Sequence, residues 1–381
     1  MPITEWQTKI GETPLKEADR IMQICNACRY CEGFCAVFPA MNRRLTFNEA
    51  DLNYLANLCH NCGACLPACQ YGPPHQFMVN VPQTLAQVRG DTYKTYAWPK
   101  AAGRLYQKNG LACALITAAS ITLFLIAVFW AVEPRVLYEA HVGEGSFYKI
   151  FSHATMVTIF GLAGLYVLLA FIMGFRNFWA DMGEKMGDFA TPGAFGQALW
   201  DAGTLKYMDG GGDGCTDPDK PPSYLRQEFH HLTSYGFLLC FAATCAGTLI
   251  HYIGGRAAPY GMASVPVVLG TIGGIGLLIG PAGLLWIKWK TDPMKVDERQ
   301  RGMDVGFLVL LFLTSLTGFL LLAWRETPAM GVTLAVHLGV VLGLFLTMPY
   351  GKFVHAIYRF AALVRFALEM KRPNTNASFE G

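Results

Sequence analysis

The chain has 381 residues, 53% of them hydrophobic and only 15% charged, with a formal net charge of +3. So small a net charge gives no argument for a nucleic-acid-binding protein, and so apolar a composition excludes an ordinary soluble one. Of the twelve cysteines, eight fall between Cys25 and Cys69.

Residues 1–110 read as a mixed-charge domain outside the bilayer. The opening stretch MPITEWQTKIGETPLKEADR has no apolar core of the signal-peptide kind, so a reducing compartment is expected, where thiolates bind metal rather than pair as disulfides. Two motifs follow, Cys25-Asn-Ala-Cys28-Arg-Tyr-Cys31-Glu-Gly-Phe-Cys35 and Cys59-His-Asn-Cys62-Gly-Ala-Cys65-Leu-Pro-Ala-Cys69. Both have the bacterial ferredoxin spacing C-x2-C-x2-C-x3-C, in which the fourth cysteine of each motif ligates the other [4Fe–4S] cluster. That pattern assigns Cys25, Cys28, Cys31 and Cys69 to one cluster and Cys35, Cys59, Cys62 and Cys65 to the other. Zinc, the competing metal, would leave four of the eight without a role or require two sites built from crowded triplets. Neither motif carries a proline directly after its fourth cysteine, and the connector TFNEADLNYLANL reads as a helix capped by Asn48 or Thr46. An α-helical ferredoxin, as in respiratory iron–sulfur subunits, is therefore expected. Arg29, Arg43 and Arg44 either reduce repulsion around the clusters or form a solvated face, and His60 either tunes a cluster or faces solvent.

Six apolar stretches long enough to span a bilayer follow, at approximately 111–132, 152–174, 231–253, 265–287, 303–324 and 330–350. The expected fold is mainly α: a helical ferredoxin-type domain (1–110), a six-helix transmembrane domain (111–353) with a long loop at 175–229, and a C-terminal tail (354–381). Within the long loop, DGGGDGCTDPDKPPS reads as flexible turn and loop, a docking element with Cys215 as a bystander thiol. The tail segment VHAIYRFAALVRFALEMKR reads as a basic amphipathic helix lying on the membrane surface. Lys94, Lys100, Arg104 and Lys108, the run from Lys288 to Arg301, and the basic tail fall on one side, which puts both termini in the cytoplasm.

Histidines at membrane depth are costly and mark function. His230 and His231 open the third span and His251 closes it, while His337 lies early in the sixth and His355 just past its inner end. On one continuous helix His337 and His355 would share a face roughly 27 Å apart, an alignment that Pro349 makes approximate. Depth then pairs His230, or His231 close behind it, with His355 near the inner face and His251 with His337 near the outer face, as ligands of haem b. His153 is a spare ligand for the outer site. No hydrolase triad, phosphate-binding glycine loop or dinucleotide fingerprint is evident.

On CNACRYCEGFC, CHNCGACLPAC, the GGGDGC loop, HHLTSYGFLLCFAAT and AVHLGVVLGLFLTMPYGKFVH, the chain resembles the bacterial tricarballylate- or citrate-utilisation protein B family over nearly its whole length. The His337–His355 spacing is also similar to the last helix of nitrate reductase γ-type cytochrome b subunits. The family resemblance implies an electron relay in the bacterial inner membrane. A partner FAD-dependent dehydrogenase oxidises tricarballylate to cis-aconitate, and its reduced flavin is reoxidised through the clusters and haem by membrane quinone. The alternative is a haem-free ferredoxin domain on an inert membrane anchor that docks a soluble oxidoreductase.

Overall fold

The computed structural model describes residues 13–216 and 221–374. The start of the polar leader, residues 217–220 of the long loop and the end of the tail lie outside the described residues. Among the described residues the fold is helical, with a single isolated β-bridge between Cys215 and Ser223.

The cysteine-bearing domain is built on α1 (Pro14–Cys28), α2 (Val37–Met41), α3 (Glu49–Leu58) and α4 (Val81–Thr95). Pro14 at the first turn and the Thr13 side chain open α1, and Asn48 caps α3 in a reciprocal box with Asp51. Both devices satisfy helix N–H groups that would otherwise be orphaned. Ile21, Met22, Tyr54, Leu55, Leu58, Leu85 and Tyr93 are fully or almost fully buried between these helices.

Six helices are long and apolar enough to cross a membrane: α5 (Asn109–Ala131), α6 (His153–Asp181), α8 (Leu225–Tyr252), α9 (Val265–Lys290), α10 (Arg301–Trp324) and α11 (Met330–Thr347). Their outward faces carry Leu111, Leu123, Leu162, Leu165, Phe241 and Ile253 in the open, an arrangement that only lipid satisfies. Glycines bring α8 and α9 into near backbone contact, since a Cβ on Gly273 would lie 2.7 Å from the Gly236 carbonyl oxygen.

Two expectations change here. The long loop is not loop throughout: α6 runs on to Asp181, and Pro192 starts a further helix, α7 (Pro192–Gly203), whose Ala194 and Ala198 are fully buried. The tail helix, α12 (Val354–Lys371), does not lie on a membrane surface. Tyr358 and Ala361 to Leu368 are buried in the core formed by α1, α3, α4 and α7. Its polar residues are buried because they are paired. Arg44 joins Glu369 at 2.5 Å and Asp51 at 2.6 Å, and Arg365 reaches Glu369 at 3.1 Å and stacks over the Tyr54 ring. Arg44 is thus held by carboxylates, Arg43 donates to the Arg372 and Pro373 carbonyls, and Arg29 is exposed over the Asn26 carbonyl.

Candidate iron–sulfur and haem sites

The last turn of α1 presents Cys25 and Cys28 three residues apart on one face. Arg29, in the left-handed region at φ 55°, ends the helix with its N–H on the Cys25 carbonyl and turns the chain toward Cys31 and Cys35. The second motif follows α3 in the same manner. Cys59 caps the helix, and Asn61 (φ 56°) and Gly63 (φ 87°) wind the backbone so that Cys62 and Cys65 turn inward.

The eight cysteines resolve into two groups. Cys25, Cys28, Cys31 and Cys69 line a cavity of about 260 Å³ together with Tyr30, Phe38 and Tyr71. Cys35, Cys59, Cys62 and Cys65 line a second, of about 20 Å³, closed over by Tyr207, Val81 and Pro82. In each, the fourth cysteine of one motif joins the first three of the other. Tyr30 is 68% exposed, so the first cavity is the outer one.

Burial, then the charges of Cys31, Cys69 and Cys28, push the Cys25 thiol up to about 12. Burial and its neighbours likewise raise Cys31 to about 12, Cys62 to about 11, and Cys35 and Cys65 well above the usual thiol range. Buried thiols raised in this way become thiolates together only around a cationic centre. A single zinc ion would need sulfurs roughly 3.8 Å apart. Among the described residues no three His, Cys, Asp or Glu side chains are grouped to hold one ion. At the outer group four soft donors around a void fit a polynuclear iron–sulfur centre; at the inner group it is the set of four cysteine donors that fits one.

The glycine-rich loop is anchored beside the inner group. Thr216 N donates to the Cys62 carbonyl at 3.0 Å, and Gly210 packs against Ala64. Cys215 lines neither cavity; its thiol points at the Met208 carbonyl, 3.3 Å away. His60 is buried and lines the inner cavity. Its Nδ1–H donates to the Leu58 carbonyl at 2.9 Å, which leaves Nε2 without a partner.

Beyond His60 lies a histidine pair. The rings of His230 and His355 stand edge to face, with centroids 6.1 Å apart and planes at 88°. Two metal–imidazole bonds of about 2.0 Å plus the ring radii span roughly that distance. The His355 Nδ1–H donates to the Lys352 carbonyl at 2.5 Å, fixing the tautomer that presents Nε2 as a ligand. This donor set fits a bis-histidine haem. His231 is turned away, its Nε2 3.1 Å from the Gly203 carbonyl.

At the other end of the bundle His251 and His337 are not paired. His251 stacks on His153 at 4.0 Å, whereas the His337 Nδ1 lies 2.9 Å from the Thr317 hydroxyl. Helix packing is the reason, since α8 lies against α9 while α11 lies against α5 and α10. Nor do His337 and His355 share a helix face. Pro349 and an extended Gly351 separate α11 from α12.

Sequence reasoning missed three arginines behind the inner cysteine loop. Arg89 and Arg359 donate to the Cys59 carbonyl at 2.9 and 3.0 Å, and Arg226 to the Asn61 carbonyl at 2.5 Å. A signal existed: Arg226 and His230, and His355 and Arg359, are each four residues apart and so share a helix face.

A helical ferredoxin-like domain joined to six membrane-length helices defines an iron–sulfur electron-transfer protein of the membrane. A family model described as citrate utilization protein B matches residues 107–376, and one described as the citrate utilization protein B Fer4-like domain matches residues 18–95. Citrate utilization protein B of Escherichia coli is 51% identical over 367 residues, which cover 96% of this chain and 95% of that protein. The chain belongs to the citrate utilization protein B family. No solved structure matches it.

Proposed function

We propose that the chain carries electrons from the reduced FAD of a partner dehydrogenase to the membrane quinone pool. Two [4Fe–4S] clusters and haem b, when bound, supply one-electron carriers between a two-electron donor and a two-electron acceptor. Cys25, Cys28, Cys31 and Cys69 hold the outer cluster, Cys35, Cys59, Cys62 and Cys65 the inner one, and His230 and His355 the haem. The observation that carries this reading is the succession of the exposed cysteine cavity, the buried one, His60 on its wall and the His230–His355 pair. Tyr30 at the mouth of the outer cavity marks the face where the flavoprotein docks.

The donor is a tricarboxylate dehydrogenase, for which tricarballylate is the substrate that the resemblance favours; the name of the Escherichia coli relative speaks for citrate use. The protein lies in the bacterial inner membrane with both termini in the cytoplasm. Supporting this, the basic loop between α9 and α10 packs on the cysteine-bearing domain, with the Asn80 amide on the Met294 carbonyl at 2.8 Å and Gln300 on the Ala86 carbonyl at 2.7 Å.

Iron, acid-labile sulfide and haem are quantified on one purified sample, which is then mixed anaerobically with chemically reduced FAD and a soluble quinone. About eight iron atoms per chain, a b-type spectrum and quinone reduction are expected. Zinc in place of iron, or a loaded protein that leaves the quinone oxidised, overturns the proposal.

A further inference from the structure

The two cysteine cavities differ in the charge that surrounds them. No lysine, arginine or carboxylate lines either cavity, so the difference lies one layer further out. Behind the inner one stand Arg89, Arg226 and Arg359, from α4, α8 and α12. Arg89 is buried and bonds the Ala56 and Cys59 carbonyls, Arg359 bonds the Cys59 carbonyl, and Arg226 bonds those of Asn61 and His60. Among the described residues none of the three forms an ion pair with a carboxylate. Asp304, a carboxylate at this end of the bundle, is taken up by Lys288 and Lys352. The Arg359 Nε is shut off from solvent without a hydrogen-bond partner. Arg89 is buried and Arg226 and Arg359 are half-buried, so guanidinium groups gathered there without a paired carboxylate are a costly arrangement, and an anion among them relieves it.

We propose that Arg89, Arg226 and Arg359 are positioning residues that raise the reduction potential of the inner iron–sulfur centre above that of the outer one. The inference rests on the reading that both cysteine groups hold clusters. Each reduction adds one electron and one negative charge, with no bond made or broken, so fixed positive charge behind the Cys59–Asn61 backbone favours the reduced form at that site. At the outer centre the cation adjoining a ligand, Arg29, is exposed and screened by solvent, so that centre stays the weaker oxidant. An electron arriving at the exposed end therefore runs downhill toward His60 and the histidine pair.

The test is an EPR-monitored redox titration of the full-length protein and its Arg359→Gln variant, with iron and sulfide measured on the same samples. In the variant the inner signal is expected to lose tenfold or more in its one-electron reduction equilibrium, about 59 mV downward, while the outer signal stays in place. Arg359→Lys is expected to restore most of the shift. Should Arg359→Gln lose the inner cluster, Arg226→Gln, at a half-buried position, provides the same measurement. Two loaded clusters whose inner potential does not move, or both potentials moving together, overturn the inference. A wild-type protein without two clusters instead overturns the reading beneath it.

Discussion

The Arg44 Nη2 lies 2.5 Å from the Glu369 Oε1, a contact between residues 325 apart in sequence that fastens α12 into the cysteine-bearing domain. Both side chains are about nine-tenths buried, and Arg365 shares the same carboxylate. Removing one partner strands a buried charge, so Glu369→Gln is expected to destabilise this domain by about 3–5 kcal/mol. The measurement is the denaturant midpoint at which the clusters' visible absorbance is lost. The pair of changes Arg44→Met and Glu369→Leu together is expected to cost less than Glu369→Gln alone, and an equal or greater cost would show that the contact is incidental.

Cys28 and Cys62 line different cavities. Cys28→Ala and Cys62→Ala are each expected to halve the iron content, from about eight atoms to about four, and to abolish a different EPR signal. Full iron in either variant would contradict the division into two groups.

His355→Ala and His230→Ala are each expected to lower the haem-to-protein ratio and to remove the α-band that the pair supports in reduced-minus-oxidised spectra. His337→Ala breaks only the bond to Thr317 at the other end of the bundle. It is expected to leave that band in place, and its loss there would shift the ligand assignment from His355 to His337.

Gly63 sits at φ +87°, and an added Cβ would lie 2.4 Å from the Lys295 Cε and 2.5 Å from the Thr216 carbonyl oxygen. Gly63→Ala therefore combines backbone strain of about 1–3 kcal/mol with a clash against main chain. Selective loss of the inner cluster's EPR signal is expected. Gly33→Ala, which meets nothing within 4 Å, is the control and keeps both signals.

The cysteine groups were legible because ligand spacing on a helix end is a local property: an x2 spacing puts neighbouring thiols on one face whatever the rest of the chain does. The six membrane helices were legible for a related reason, since lipid demands apolar length and little else. What escaped were features set by distant partners. Arg365 and Glu369 look like the wet face of a surface helix until Arg44 and Asp51 meet them. His251 looks like a partner for His337 until α8 packs on α9. Depth in the bilayer can be counted along the chain, but which helices are neighbours around the bundle cannot. The anchored glycine loop escaped in the same way, its bonds going to Cys62 rather than to nearby residues.

The position of α12 also constrains the order in which the molecule is made. Helices α1 to α4 precede the six hydrophobic segments in the chain, yet the element that completes their core follows all six. Until then Tyr54 and Leu55 lack their final cover. The core of the cysteine-bearing domain therefore closes only once Val354–Lys371 has been made and packed back against it.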